Sequence, residues 1–152
     1  MDRLQLKIPP VVLVLIAAAM MVIIAYTLPG AMPVPFKAEI ALLLALSGVW
    51  VALAGVQAFR RHKTTVNPLT PEQSSALVAT GVYRISRNPM YLGFLLVLSG
   101  WAVFLAHALA ALLLPLFILY MNRFQIQPEE QALTLRFGPA FRAYCQSVRR
   151  WL

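Results

Sequence analysis

The sequence predicts an all-α membrane protein with about four transmembrane helices, the last two forming a tight hairpin, followed by cytosolic C-terminal amphipathic helices. Three observations carry this expectation. Hydrophobic residues make up 61% of the 152 and charged residues only 12%, whereas soluble domains average about 45–50% apolar. The apolar residues fall into runs long enough to cross a hydrocarbon core of about 30 Å, which takes about 20 helical residues. The thirteen Lys and Arg residues, which leave a formal charge of +8, gather at the ends of those runs.

The first span is expected over 8–28, with Arg3 and Lys7 ahead of it. Its apolar run is longer than the roughly 7–15 residues of a signal-peptide core, so it reads as a retained helix. "PGAMPVP" (29–35) interrupts the helix with prolines, and the second span covers 40–59. There Ala45, Gly48, Ala52 and Gly55 recur at spacings of 3, 4 and 3. They share one face, where another helix, from the same chain or a second copy, can approach closely.

The stretch 60–88 carries prolines and arginines and would leave unsatisfied backbone groups in lipid, which makes it aqueous or interfacial. From Pro89 to Met121 the chain is apolar apart from His107. At about 1.5 Å per residue this run is too long for one span, so spans over 89–106 and 108–121 are expected to turn near Ala106 to Ala108. Pro115 should bend the second arm, and His107 is expected at the interface. The tail, 122–152, reads as two short amphipathic helices opened by Pro128 and Pro139, with Gly138 ending the first. The whole chain, 1–152, forms one domain.

With four spans, only Lys37 of the basic residues falls on the side of the loop 29–39 and the hairpin turn. The other twelve share the opposite face, so both termini and the loop 60–88 are expected in the cytoplasm, at a bacterial or archaeal inner membrane. The same placement makes membrane headgroups, rather than nucleic acid, the partners of the positive charge. The lone Cys145 excludes an internal disulfide framework and a paired-cysteine metal site. The spans carry no acidic or basic residue away from their ends, which argues against a transport path.

The candidate chemistry lies in "GVYRISRNPMYLGF" (81–94). Asn88 and Pro89 suit the N-cap and first position of a helix. A helix N-terminus beside Arg84 and Arg87 favours an anion such as a carboxylate. If Glu129 and Glu130 fold back onto the same face, the site also offers negative charge to an ammonium group or to ribose hydroxyls. Each feature also has a plain structural reading, as a helix start with interfacial arginines and as acids that complement a helix dipole.

"LVATGVYRISRNPMYLG" and, beyond the hairpin, "EEQALTLRFGPAFRAYCQSVRRW" together resemble the isoprenylcysteine carboxyl methyltransferase and phospholipid methyltransferase superfamily of membrane enzymes. The shared pattern is an Arg-His-Pro-x-Tyr-x-Gly block, a hydrophobic hairpin, a Glu-Glu pair and an aromatic tail. It covers residues 64–150. Asn88 stands in place of the histidine of eukaryotic members, and Phe141 in place of the first tail tyrosine.

The resemblance implies S-adenosyl-L-methionine as cofactor, contacted by Leu77, Val78, Tyr83, Asn88, Pro89, Met90, Tyr91 and Glu130. It implies methyl transfer to a hydrophobic or lipid-linked acceptor, most readily a carboxylate such as an isoprenylcysteine, with Arg87, Arg123 and Glu129 as catalytic candidates. Methyl transfer from a sulfonium is an in-line displacement that depends chiefly on positioning and requires no metal. A carboxylate acceptor would need Arg87 or Arg123 to orient it. An amine acceptor, as in a phospholipid N-methyltransferase, would need Glu129 or Glu130 as base. A noncatalytic membrane adaptor with a basic face is the reading from a different class.

Overall fold

The computed structural model describes residues 5–62 and 76–152. Arg3, Lys63 and the middle of the expected polar loop, 63–75, lie outside the described residues. Within them the chain forms α1 (Pro10–Thr27), α2 (Lys37–Arg61), a 3-10 turn (Gly81–Arg84), α3 (Pro89–Leu105), α4 (Ala108–Ala111), α5 (Leu113–Tyr120), a π-helical segment (Met121–Ile126), α6 (Gln127–Phe137) and α7 (Pro139–Ser147). The expected all-helical class is observed. By length and composition three runs can cross a membrane: Pro10–Thr27, Lys37–Arg61 and Ala108–Phe137. The equally apolar α3 is shorter, at 17 residues.

Successive long helices run in alternate directions. At one end Leu6 donates its N–H to the Phe124 carbonyl (3.1 Å), and the α2 terminus packs Phe59 against Tyr83. At the other end, loop 28–32 meets the reversal between α3 and α4. The reversal falls at Ala106, in the left-handed region (φ 49°), and His107. One end of the bundle thereby collects residues 81–91, 122–130 and the chain's last residues.

The small-residue face of α2 packs on α3, and it does so within one chain. A Cβ at Gly48 would lie 2.5 Å from the Gly93 carbonyl oxygen, and one at Gly93 would lie 2.5 Å from the Gly48 oxygen. Gly100 approaches Ala41 and Ala45 in the same way, and Gly55 approaches Met90. Backbones this close exchange dispersion contacts that larger residues would prevent. Gly93→Val should force the helices apart and destabilise the protein by about 1–3 kcal/mol, read as a lower thermal unfolding midpoint in detergent.

His107 sits at the reversal, as expected, but it is buried, at 2% exposure, rather than interfacial. Its Nδ1 accepts from the Ala110 N–H (3.3 Å) and its Nε2 faces the Leu28 carbonyl (3.0 Å). This pair of contacts places the ring proton on Nε2. Together with Ala108 N–H to Gly30 O (2.9 Å) and Met32 N–H to Ala106 O (2.8 Å), the ring locks the first loop to the hairpin. His107→Ala leaves the Leu28 carbonyl without this donor and should cost about 1–3 kcal/mol in the same unfolding measurement. Trp101 packs toward α1, donating to the Ala18 carbonyl (3.2 Å), whereas Trp50 points outward.

In the tail, α5 ends at Tyr120 and α6 carries Pro128 in its first turn, as expected; what differs is that the π-helical segment joins the two, so that one helical run continues to Phe137. Pro128 has no N–H and its ring crowds the carbonyl four residues back. The preceding turns widen into the π-helical segment, and the Phe124 carbonyl that Pro128 cannot serve takes the Leu6 N–H instead. Nearer the start, the run breaks at Leu112, three residues before Pro115, by the same steric cause. Gly138, at φ 50°, ends α6, and Pro139 opens α7 as expected.

Candidate functional site

The start of α3 is built from backbone and tail together. Asn88 occupies the N-cap position, but its side chain does not cap the helix. Its Nδ2 donates to the Arg150 carbonyl (3.0 Å), which also receives the Ser86 hydroxyl (3.3 Å). The Arg87 N–H donates to the Arg149 carbonyl (3.0 Å). Trp151 then reaches the π-helical segment, its Nε1 donating to Asn122 Oδ1 (3.0 Å). Residues 149–151 thus lie as a strap across the mouth of α3.

Arg87 holds that strap in place. Its Nη1 donates to the carbonyls of Cys145 (2.9 Å) and Val148 (2.8 Å), groups that the end of α7 leaves unsatisfied and that favour a cation. Its Nη2 pairs with Glu130 Oε1 (2.8 Å), and Arg150 closes on Glu130 from the other side, Nη2 to Oε2 at 2.5 Å and Nε to Oε1 at 3.2 Å. The anion beside Arg87 is therefore the protein's own Glu130. Arg87 Nε is buried with no partner among the described residues, which leaves one donor for an acceptor oxygen.

Glu129 has a different environment. Tyr91 donates its hydroxyl to Glu129 Oε1, and Gln125 Nε2 donates to the same oxygen (2.9 Å) while lying 3.4 Å from the Tyr91 hydroxyl. Among the described residues no hydrogen bond or ion pair falls on Glu129 Oε2. The cap of α3 and the acidic pair thus converge, and the pair divides. Glu130 pairs with two arginines, whereas Glu129 takes both of its hydrogen bonds on one oxygen.

Beside them an open cleft of about 510 Å³ is lined by Gln127, Glu130, Gln131, Thr134 and Leu135, a size within the roughly 300–1,000 Å³ of small-molecule sites. Arg123, exposed on the π-helical segment, donates to Gln127 Oε1 (3.2 Å) and so borders this cleft. The cleft's own lining, the Glu130 carboxylate, the Gln127 and Gln131 amides and the Thr134 hydroxyl, offers partners for an amine and for ribose hydroxyls, and Glu129 and Arg87 lie next to it without lining it. The residues present fit S-adenosylmethionine in kind.

The other candidates are used for packing. Val78 and Tyr83 are buried in a second core with Phe141 and Tyr144, and Leu77 packs against it. Tyr144 donates its hydroxyl to the Tyr83 carbonyl (2.7 Å). Burial pushes both phenols well above the ordinary tyrosine range, so this donor persists at any physiological pH. Met90 faces α2 at Gly55, and Pro89 is buried at the first position of α3. The site also contains residues that the motif does not name: Ser86, Asn122, Gln125, Arg150 and Trp151. Gln125 alone had a local signal, a polar side chain one helical turn before Glu129 and able to share its face.

A family model described as phospholipid methyltransferase matches residues 36–140. The chain is 29% identical over 107 residues to protein-S-isoprenylcysteine O-methyltransferase A of Arabidopsis thaliana, covering 70% of this chain and 54% of that one. It is 29% identical over 117 residues to a probable protein-S-isoprenylcysteine O-methyltransferase of Oryza sativa subsp. indica, covering 77% of this chain and 61% of that one. The chain thus spans little more than half the length of these plant relatives. An uncharacterized protein of Haemophilus influenzae is 49% identical over 63 residues, 41% of this chain and all of that protein. No solved structure matches significantly. With the matched segment running from the start of α2 through the acidic pair to α7, the chain is a membrane protein that belongs to the phospholipid methyltransferase family.

Proposed function

We propose that this protein transfers a methyl group from S-adenosylmethionine to a hydrophobic or lipid-linked acceptor at the cytosolic membrane interface, with a carboxylate such as an isoprenylcysteine as the preferred acceptor. The observation that carries this reading is the meeting of Tyr91 and Glu129 at the basic end of an otherwise apolar bundle. The similarity to plant isoprenylcysteine O-methyltransferases supports the choice of acceptor. The family description favours a second acceptor, a phospholipid amine. With α3 as the fourth span, the clustering of positive charge at this end supports cytoplasmic termini.

S-adenosylmethionine, when bound, supplies a methyl group on a positively charged sulfur. Glu129 Oε2 would accept from the amine or ribose hydroxyls of such a ligand, and Arg87 Nε would donate to an anionic oxygen. Tyr91 and Asn88 shape the adjoining wall, and Arg87, paired with Glu130, holds the strap that keeps water from the mouth of α3. Arg123, exposed beside the cleft, is placed to attract an acceptor carboxylate. A carboxylate acceptor would arrive deprotonated, so no residue of the chain would have to take a proton from it. An amine acceptor must also lose a proton, and Glu129 is the group with a free oxygen to take it.

The test uses purified protein in lipid nanodiscs with methyl-radiolabelled S-adenosylmethionine and either an N-acylated S-prenylcysteine or phosphatidylethanolamine. Carboxyl methylation releases its label as methanol in mild base, whereas N-methylation is base-stable. The expected result is base-labile label on the prenylcysteine. Base-stable label on the phospholipid alone would replace the acceptor, and absence of both together with absence of S-adenosylhomocysteine binding would overturn the proposal.

A further inference from the structure

Gln125 is 2% exposed, in a segment whose Met121 and Ile126 belong to the bundle core. A polar side chain so deeply placed costs free energy unless its hydrogen bonds return it, and an apolar residue of similar volume would pack there at no such cost. Its Nε2 is directed at the two atoms that meet in the site, Glu129 Oε1 at 2.9 Å and the Tyr91 hydroxyl at 3.4 Å. Among the described residues both donors to Glu129 thus fall on one oxygen, Oε1, and leave Oε2 without a hydrogen bond.

Resting on the methyl-donor reading above, we infer that Gln125 is a positioning residue: by donating to Glu129 Oε1 beside Tyr91, it holds the Glu129 carboxylate so that its second oxygen is presented to the ligand. The continuous helical run delivers it: Gln125, near the end of the π-helical segment, stands four residues before Glu129 on α6, a spacing that puts the two on one face, while the Phe124 carbonyl is satisfied by Leu6. Without Gln125, Tyr91 alone would hold Oε1, and the carboxylate could rotate about its last torsion, a broad one for glutamate.

The experiment compares the full-length wild type with Gln125→Met, a residue of similar volume without a donor, and with Gln125→Glu, which replaces the donor by an acceptor. S-adenosylhomocysteine affinity is measured by isothermal titration, and the thermal unfolding midpoint of the ligand-free protein is measured alongside. The expected result is binding weakened about tenfold in both variants, with the ligand-free midpoint of Gln125→Met unchanged or raised. Where one variant does not fold, the other supplies the comparison. A lowered midpoint with unaltered affinity would make Gln125 a packing residue and overturn the inference alone. Absence of binding by the wild type would overturn the methyl-donor reading and the inference with it.

Discussion

Glu129→Gln should weaken S-adenosylhomocysteine binding by about 30- to 100-fold, or roughly 2–3 kcal/mol, while leaving the fold intact. The amide oxygen can still accept from Tyr91 and Gln125, so the internal contacts of the carboxylate survive. What changes is the second position, where an acceptor oxygen becomes an NH2 group that would face the amine or hydroxyl donor of the proposed ligand. Charge attraction is lost and a donor is set against a donor. The contrast is Glu130→Gln, which removes the charge clamped by Arg87 and Arg150 and should lower the thermal midpoint. A Glu129→Gln protein that binds as wild type, or unfolds as readily as Glu130→Gln, would show that the two acids do not divide their roles as described.

The second large effect is expected at Arg87. Arg87→Ala removes two bonds to the end of α7 and one partner of Glu130, groups only 14% and 20% exposed at the ion pair. Breaking a buried pair by deleting one partner costs about 3–5 kcal/mol. Arg150 continues to neutralise Glu130, so about 2–3 kcal/mol is expected here. The C-terminal strap should detach, seen as faster cleavage by a carboxypeptidase and a lower unfolding midpoint. Arg87→Lys should rescue little, because one ammonium cannot span two carbonyls and a carboxylate as the planar guanidinium does. Cleavage as slow as in the wild type would show that the strap is held by its backbone contacts and Trp151 alone.

The helices were legible because their signals are local. The prolines at 89 and 139, Gly138 and the small-residue face of α2 each act within a few residues, and each appears where the pattern puts it. The convergence of the α3 start with the acidic pair was legible only as a condition. Pro128 stands in the first turn of α6 as its sequence position suggests, but a proline that opens a separate helix and one that follows a π-helical turn look identical in sequence. The difference is the Leu6 N–H, more than a hundred positions away, on the Phe124 carbonyl.

From residue order alone follow the helical class, the apolar bundle with its charge at one end, and the types of group available for the chemistry. Only the fold gives the two acids different partners, two arginines for Glu130 and Tyr91 with Gln125 for Glu129. Arg87 reaches Glu130 across 43 positions and Tyr91 reaches Glu129 across 38, and Arg150 reaches Glu130 only because the strap lies over the mouth of α3. A carboxylate's role is set by the groups around its two oxygens, and those partners are brought together by packing of distant segments that no local periodicity encodes.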